Sequence, residues 1–308
     1  MKPKFSGHET FPLRYGWLHK AVNLLIFNDN EHAHDSIVTL GVGKNMVNSI
    51  RYWAELAGVI EADKSSARST FVPANLGRFL FLSNASQGNA DPYLERIGSI
   101  WLVHYCLNAK DDVLTSYRYF FNYCNFQSFE KSRLVDEIFT SCPTLTGFEP
   151  GKKATVKKDV DCFLHTYTKK IRNPKQVDED HFSSPLAELG LLTEVSSGHY
   201  FSDLNDRTTL PVEIFSFALC DFISRQTNTS GVSTIDFDSI LSKPGSPGRI
   251  FRLSEQGLSQ KLDEASLLPD SGISWTDTLG LRQIRISDEL RTDAGKFIDQ
   301  YYGGPYAW

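Results

Sequence analysis

Residues 44–57 space Met46, Ile50, Trp53, Ala54 and Ala57 three or four positions apart, which gathers them on one face of a helix. Lys44, Asn48, Arg51 and Glu55 repeat at that spacing on the other face, so two cations and an amide point the same way. Gly58 follows, in the position where a left-handed residue often ends a helix. Then come Val59-Ile60-Glu61, a polar stretch from Asp63 to Ser69 with Lys64 and Arg68, and Thr70-Phe71-Val72 before Pro73, which together predict a hairpin. A helix running into a hairpin is the outline of a winged helix. In that reading Lys44, Asn45, Asn48 and Arg51 face DNA from the helix and Lys64 and Arg68 from the wing. A small helical domain with a solvated polar face has the same pattern, and these residues alone leave both readings open.

The glycines before this helix, Gly41-Val42-Gly43-Lys44, invite a nucleotide-binding interpretation, which the neighbouring residues oppose. A phosphate loop needs a glycine five residues before Gly43 and a Ser or Thr after Lys44; Val38 and Asn45 stand there. A dinucleotide fingerprint needs a third glycine and a preceding parallel strand, and neither is present. The glycines instead predict the tight turn of a helix-turn-helix, with Lys44 at a helix N-terminus whose amides also favour phosphate.

The helix-then-hairpin order recurs. "SPLAELGLLTEVSSGHYFSD" predicts a short helix, Gly190, a strand, a turn and a second strand. A weaker instance lies near the C-terminus, where "LPVEIFSFALCDFISRQ" and "SPGRIFRLSEQGLSQKLDEA" predict helices and "GISWTDTLGLRQIRIS" ends in strand-like alternation. Aromatic-rich helices are expected over residues 93–106 and 113–124, with another over 128–142. The fold expected is mainly α with small β-hairpin wings, tandem winged-helix-like units around a helical middle. With 308 residues there is room for two or three domains. The boundaries predicted are 1–85, 92–205 and 206–308, the stretch 83–92 reading as a linker.

A net charge of −5 argues against a uniformly basic surface, so nucleic-acid contact must come from local patches. Residues 151–175 form one, with eight Lys or Arg against two Asp. There Thr155 is placed to cap a helix whose apolar face is Val156, Val160, Phe163, Leu164 and Tyr167, leaving Lys153, Lys157 and Lys158 outward. The five cysteines are widely spaced and never paired as C-x-x-C, which opposes zinc ribbons and a disulfide framework. No apolar run reaches membrane-spanning length and the N-terminus lacks a signal-peptide core, so a cytoplasmic location without membrane contact is expected.

Four stretches, "FSGHETFPLRYGWL", "LGVGKNMVNSIRYWAELAGVIE", "KKATVKKDVDCFLHTY" and "FIDQYY", together resemble a bacterial family of unknown-function domains associated with DNA phosphorothioation, the SspB-like family. The resemblance spans nearly the full length. It implies a role in a modification that replaces a non-bridging backbone oxygen by sulfur at short DNA sites, used in defence against phage, with a DNA nickase as the component. It also implies double-stranded DNA as a partner, with sulfur arriving from a cysteine desulfurase and an ATP-using sulfur transferase.

A nickase needs a group that activates water and a cation that holds the scissile phosphate, usually with one or two metals on carboxylates. His8 as general base, Glu9 as ligand for Mg or Mn and Arg14 as phosphate clamp would meet that need within seven positions. The structural reading has His8 and Glu9 capping the first helix and Arg14 pairing with an acid elsewhere. No complete nuclease motif accompanies them. Asp236 and Asp238 would face one side of a strand and could share a cation, while His32 and His34 lack a clear third ligand. Tyr15 and Tyr117 are conceivable covalent nucleophiles. The competing function is a non-catalytic, sequence-reading DNA-binding protein that recruits the sulfur-transfer partners.

Overall fold

The apolar spacing over 44–57 becomes a helix because its stripe has something to bury against. In the computed structural model, which describes residues 1–27, 41–64, 70–82, 90–169, 184–227, 234–278, 280–291 and 293–304, helix α1 (Trp17–Phe27) packs against α2 (Lys44–Leu56). Ile50, Trp53, Ala54 and Ala57 are buried and Met46 is half-buried. Gly43 is the N-cap of α2 in extended backbone, and Gly58 takes the left-handed conformation after its last turn. The chain then pairs β2 (Ile60–Ala62) antiparallel with β3 (Phe71–Pro73), Glu61 opposite Val72. Helix α3 (Asn75–Phe81) returns beneath Val59.

Helix α4 (Ile97–Ala109) is apolar on nearly every side and buried along nearly its whole length, as a helix at the centre of a molecule must be. It starts later than the sequence suggests because the Asp91 carboxylate accepts the amides of Glu95 and Arg96 and the hydroxyl of Ser99, which sets the helix entry. Its one imidazole, His104, has hydrogen-bond partners at both ring nitrogens, Tyr167 Oη and Ile250 O, each at 2.8 Å. Burial pushes that ring down to about 3, so it stays neutral.

Two further helices begin later than the apolar spacing predicts. Val113–Leu114 form a strand, β4, parallel to β1 (Lys2–Pro3), and helix α5 (Ser116–Tyr123) follows with Thr115 accepting the Arg118 amide. Residues Ser128–Glu130 form strand β5, and helix α6 (Lys131–Thr146) starts only after it. Both strands exist through partners distant in the chain, which local periodicity does not register. Helix α7 (Lys153–Tyr167) starts at Lys153 with Lys152 as an N-cap that makes no side-chain bond, so Thr155 lies inside it.

A short 3-10 turn (Pro185–Leu189) leads to β6 (Thr193–Ser196) and β7 (His199–Phe201), and the sheet order is β5-β7-β6. The C-terminal part runs through α8 (Val212–Thr227), β8 (Thr234–Asp236), α9 (Phe237–Ser242), α10 (Pro247–Ile250) and α11 (Glu255–Ser266). Strands β9 (Ile273–Thr278) and β10 (Leu281–Ile286) close it in the order β8-β10-β9. Arg249 donates to the carbonyls of Asn122 and Cys124 and Arg252 to that of Ser202, tying this part to the middle. Helix α12 (Lys296–Tyr302) brings Tyr301 Oη to the Gly98 amide and Tyr302 Oη to Ser99 Oγ.

The architecture is mainly α with small antiparallel sheets, and one continuous cluster of buried side chains extends from Phe5 to Tyr302. No helix among the described residues is long and apolar enough to cross a membrane. The five cysteines are free thiols, four of them buried.

Candidate nucleic-acid interface

One polar strip runs along α2. Lys44, Asn45, Asn48, Arg51 and Glu55 are all exposed. Lys44 has no ion-pair partner among the described residues, so its charge is open to an anion. Arg51 lies over the Phe71 ring at 5.5 Å, which steadies its stem across the helix and the hairpin. Glu55 is held aside at the far end by Lys4, 3.2 Å away. Lys64 is exposed on the hairpin; Arg68 lies outside the described residues, as do His32 and His34.

The loop 7–11 abuts this strip at Tyr52, one turn of α2 from Asn48. Gly7 has φ +116° and a Cβ there would sit 2.6 Å from the Tyr52 ring, so only glycine fits. Glu9 at φ +47° and Thr10 at φ +67° follow in left-handed backbone. A β-branched residue there is an outlier, and each such position costs about 1–3 kcal/mol. Glu9 and Thr10 are exposed.

Between these exposed residues the chain dips inward. His8 is 2% exposed; its Nε2 faces Asp159 Oδ1 of α7 at 3.1 Å, although neither atom makes an aligned hydrogen bond. Its Nδ1 accepts the Thr10 amide at 3.0 Å. Burial disfavours the charged ring, while the Asp159 carboxylate beside it pulls the other way and raises its affinity for a proton. The Thr10 amide donates to Nδ1, so that nitrogen carries no proton; the ring is neutral with its one proton on Nε2 toward Asp159, and its lone pair is already taken. Asp159 Oδ2 accepts the Ser116 amide at 2.8 Å, and Phe11 O accepts from Trp53 Nε1 and Cys162 Sγ. Tyr52 and Tyr117 complete the cluster, and burial holds both phenols well above their usual range.

The structure thus brings His8 and Glu9 to one loop but points them to opposite sides. Arg14 lies 5.7 Å from the Phe11 ring and 5.5 Å from the Trp17 ring. Tyr15 donates to Glu188 at 2.5 Å, and Tyr117 is fully buried. Asp159 was missed by sequence reasoning, although a signal existed: it falls on the same helical stripe as Val156, Val160 and Phe163. An acid on an apolar stripe calls for buried donors to satisfy it.

On α7, Lys157 and Lys158 are exposed and have no ion-pair partner among the described residues, whereas Lys153 pairs with Asp136 of α6. Asp236 and Asp238 do not share a cation site. Asp236 caps α9 by accepting the Ser239 amide at 2.7 Å, and Asp238 pairs with Arg282 at 3.2 Å. Among the described residues no group of three or more His, Cys, Asp or Glu converges as a metal cage. Glu9 alone fits a magnesium ion only where substrate oxygens and water supply the other ligands, which is how this ion is often held.

The family described as "Protein of unknown function (DUF4007)" matches residues 5–302. The SspB crystal structure is similar at 28% identity and TM-score 0.79, covering 96% of this chain and 87% of that one. The magnesium ion-bound SspB crystal structure is similar at 27% identity and TM-score 0.81 over the same shares. No curated protein matches the chain.

Proposed function

The chain belongs to the DUF4007 family of proteins of unknown function, and from that premise we propose that it is the DNA-handling component of a bacterial phosphorothioate modification and defence system, acting as a nickase at short sites. The likeness to SspB over 96% of the chain supports the system. The observation that carries the DNA contact is the exposed strip Lys44, Asn45, Asn48 and Arg51, met at Tyr52 by the strained loop that carries Glu9. Its helix-then-hairpin context supports a winged-helix mode, in which α2 lies in a major groove and Lys64 and Arg68 approach the neighbouring backbone.

In this reading Arg51 and Asn48 meet base edges, and Lys44, Lys153, Lys157 and Lys158 meet phosphates. The Glu9 carboxylate stands where it can orient water or share a metal with the scissile phosphate, and Arg14 offers a guanidinium to the same anion. Magnesium or manganese, when bound, would supply charge neutralisation at that phosphate. His8, buried and with its lone pair on the Thr10 amide, anchors the loop and leaves proton acceptance to the exposed carboxylate. Sulfur would come from a cysteine desulfurase and an ATP-using sulfur transferase. Val38 and Asn45, standing where a phosphate loop needs Gly and Ser or Thr, support assigning nucleotide use to a partner.

Supercoiled plasmid with magnesium or manganese should give open circles with the protein alone. A non-catalytic reader that recruits the sulfur-transfer partners is the second reading, favoured by the burial of His8; it gives binding without open circles. Arg51→Ala should weaken binding to a specific duplex by about 1–3 kcal/mol, while Lys157→Ala should lower the salt slope by about one and leave sequence preference intact. Equal loss on specific and random duplexes for Arg51→Ala would remove it from base reading.

A further inference from the structure

Of the non-glycine residues with positive φ among the described residues, Glu9 and Thr10 are the adjacent pair. Such backbone persists only where its surroundings over-determine it. Here the surroundings come from three helices far apart in the chain. His8 links them to the loop: one ring nitrogen takes the Thr10 amide at 3.0 Å and the other faces Asp159 at 3.1 Å. Asp159 is itself fixed by the Ser116 amide at the start of α5. Trp53 and Cys162 hold the loop's far side through Phe11 O. Every one of these partners lies beneath the loop, and Glu9 is left exposed above it.

We propose that Asp159 is a positioning residue, acting through His8 to hold Glu9 and Thr10 in left-handed backbone and so to keep the Glu9 carboxylate outward beside the polar strip of α2. The role of that carboxylate rests on the nickase reading; the hold on the loop does not. Without the pair beneath it, the loop relaxes to ordinary backbone and the Glu9 carboxylate loses its fixed place. Its DNA contacts through α2 remain, because Asp159 touches none of the strip.

The test uses full-length Asp159→Asn, which keeps the shape and removes the charge, with His8→Gln as a second variant should the first fail to fold. The Thr10 amide should exchange with solvent about tenfold faster or more. Single-turnover nicking of saturating plasmid should slow about 100-fold, the order lost on a misplacement of about 1 Å. The Kd for a short duplex should stay within about twofold, so that the loss falls on the rate and not on binding. Unchanged exchange in a folded variant overturns the inference, as does an equal loss in rate and affinity. If the wild-type protein does not nick, the nickase reading falls and the exchange measurement alone decides whether Asp159 holds the loop.

Discussion

Gly77→Ala is expected to destabilise the protein by about 3 kcal/mol or more, beyond the usual cost of overpacking. A Cβ at position 77 would sit 2.0 Å from Val59 O and 3.0 Å from the Val59 carbonyl carbon. These are main-chain atoms, so no rotamer change clears them. The Val59 carbonyl is also in use: it accepts the Ala74 amide at 2.9 Å where the chain enters α3, while the Val59 amide donates to Ala54 O at 2.8 Å. Moving α3 away breaks the first bond, and moving Val59 disturbs the end of α2 and the pairing of Ile60 with Pro73. The substitution therefore loosens α2 from its hairpin. Gly43→Ala is the control: nothing lies within 4 Å of its Cβ position and its φ is −66°, so a loss under about 1 kcal/mol is expected. Chemical denaturation of both variants checks this, and a Gly77→Ala protein as stable as Gly43→Ala would show that α3 can shift without penalty.

That contrast shows what the sequence makes legible and what it hides. Helix α2 could be read because its stripe, its terminal Gly58 and the hairpin after it are local signals within about thirty residues. Gly77 looks like any helical glycine until Val59 is folded onto it. Strand β5 was hidden in the same way, since Phe129 pairs with Tyr200 and nothing near Ser128 announces a strand. Asp236 read as a possible cation ligand because spacing shows where a carboxylate stands on an element, while the amide it caps depends on where the element ends. At the candidate site, the polar strip was legible from period alone. The burial of His8 was not, because its partner lies 151 positions later on another helix, and only the misfit of Asp159 on an apolar stripe pointed to it.

His8→Ala is expected to destabilise the protein by about 3 kcal/mol. The ring's Nδ1 accepts the Thr10 amide at 3.0 Å, so its proton lies on Nε2, which faces Asp159 Oδ1 at 3.1 Å. Removing the ring takes the facing group from a buried carboxylate oxygen and the acceptor from the Thr10 amide, and leaves a cavity against the Tyr52 ring. Each loss carries its own cost, and the buried carboxylate is the larger because water does not reach it. His8→Gln keeps an amide that can donate on one side and accept on the other, so it should recover part of the loss. Denaturant unfolding of wild type and both variants at neutral pH checks this. A His8→Ala protein as stable as wild type would mean that water fills the site and serves Asp159 as well as the imidazole does.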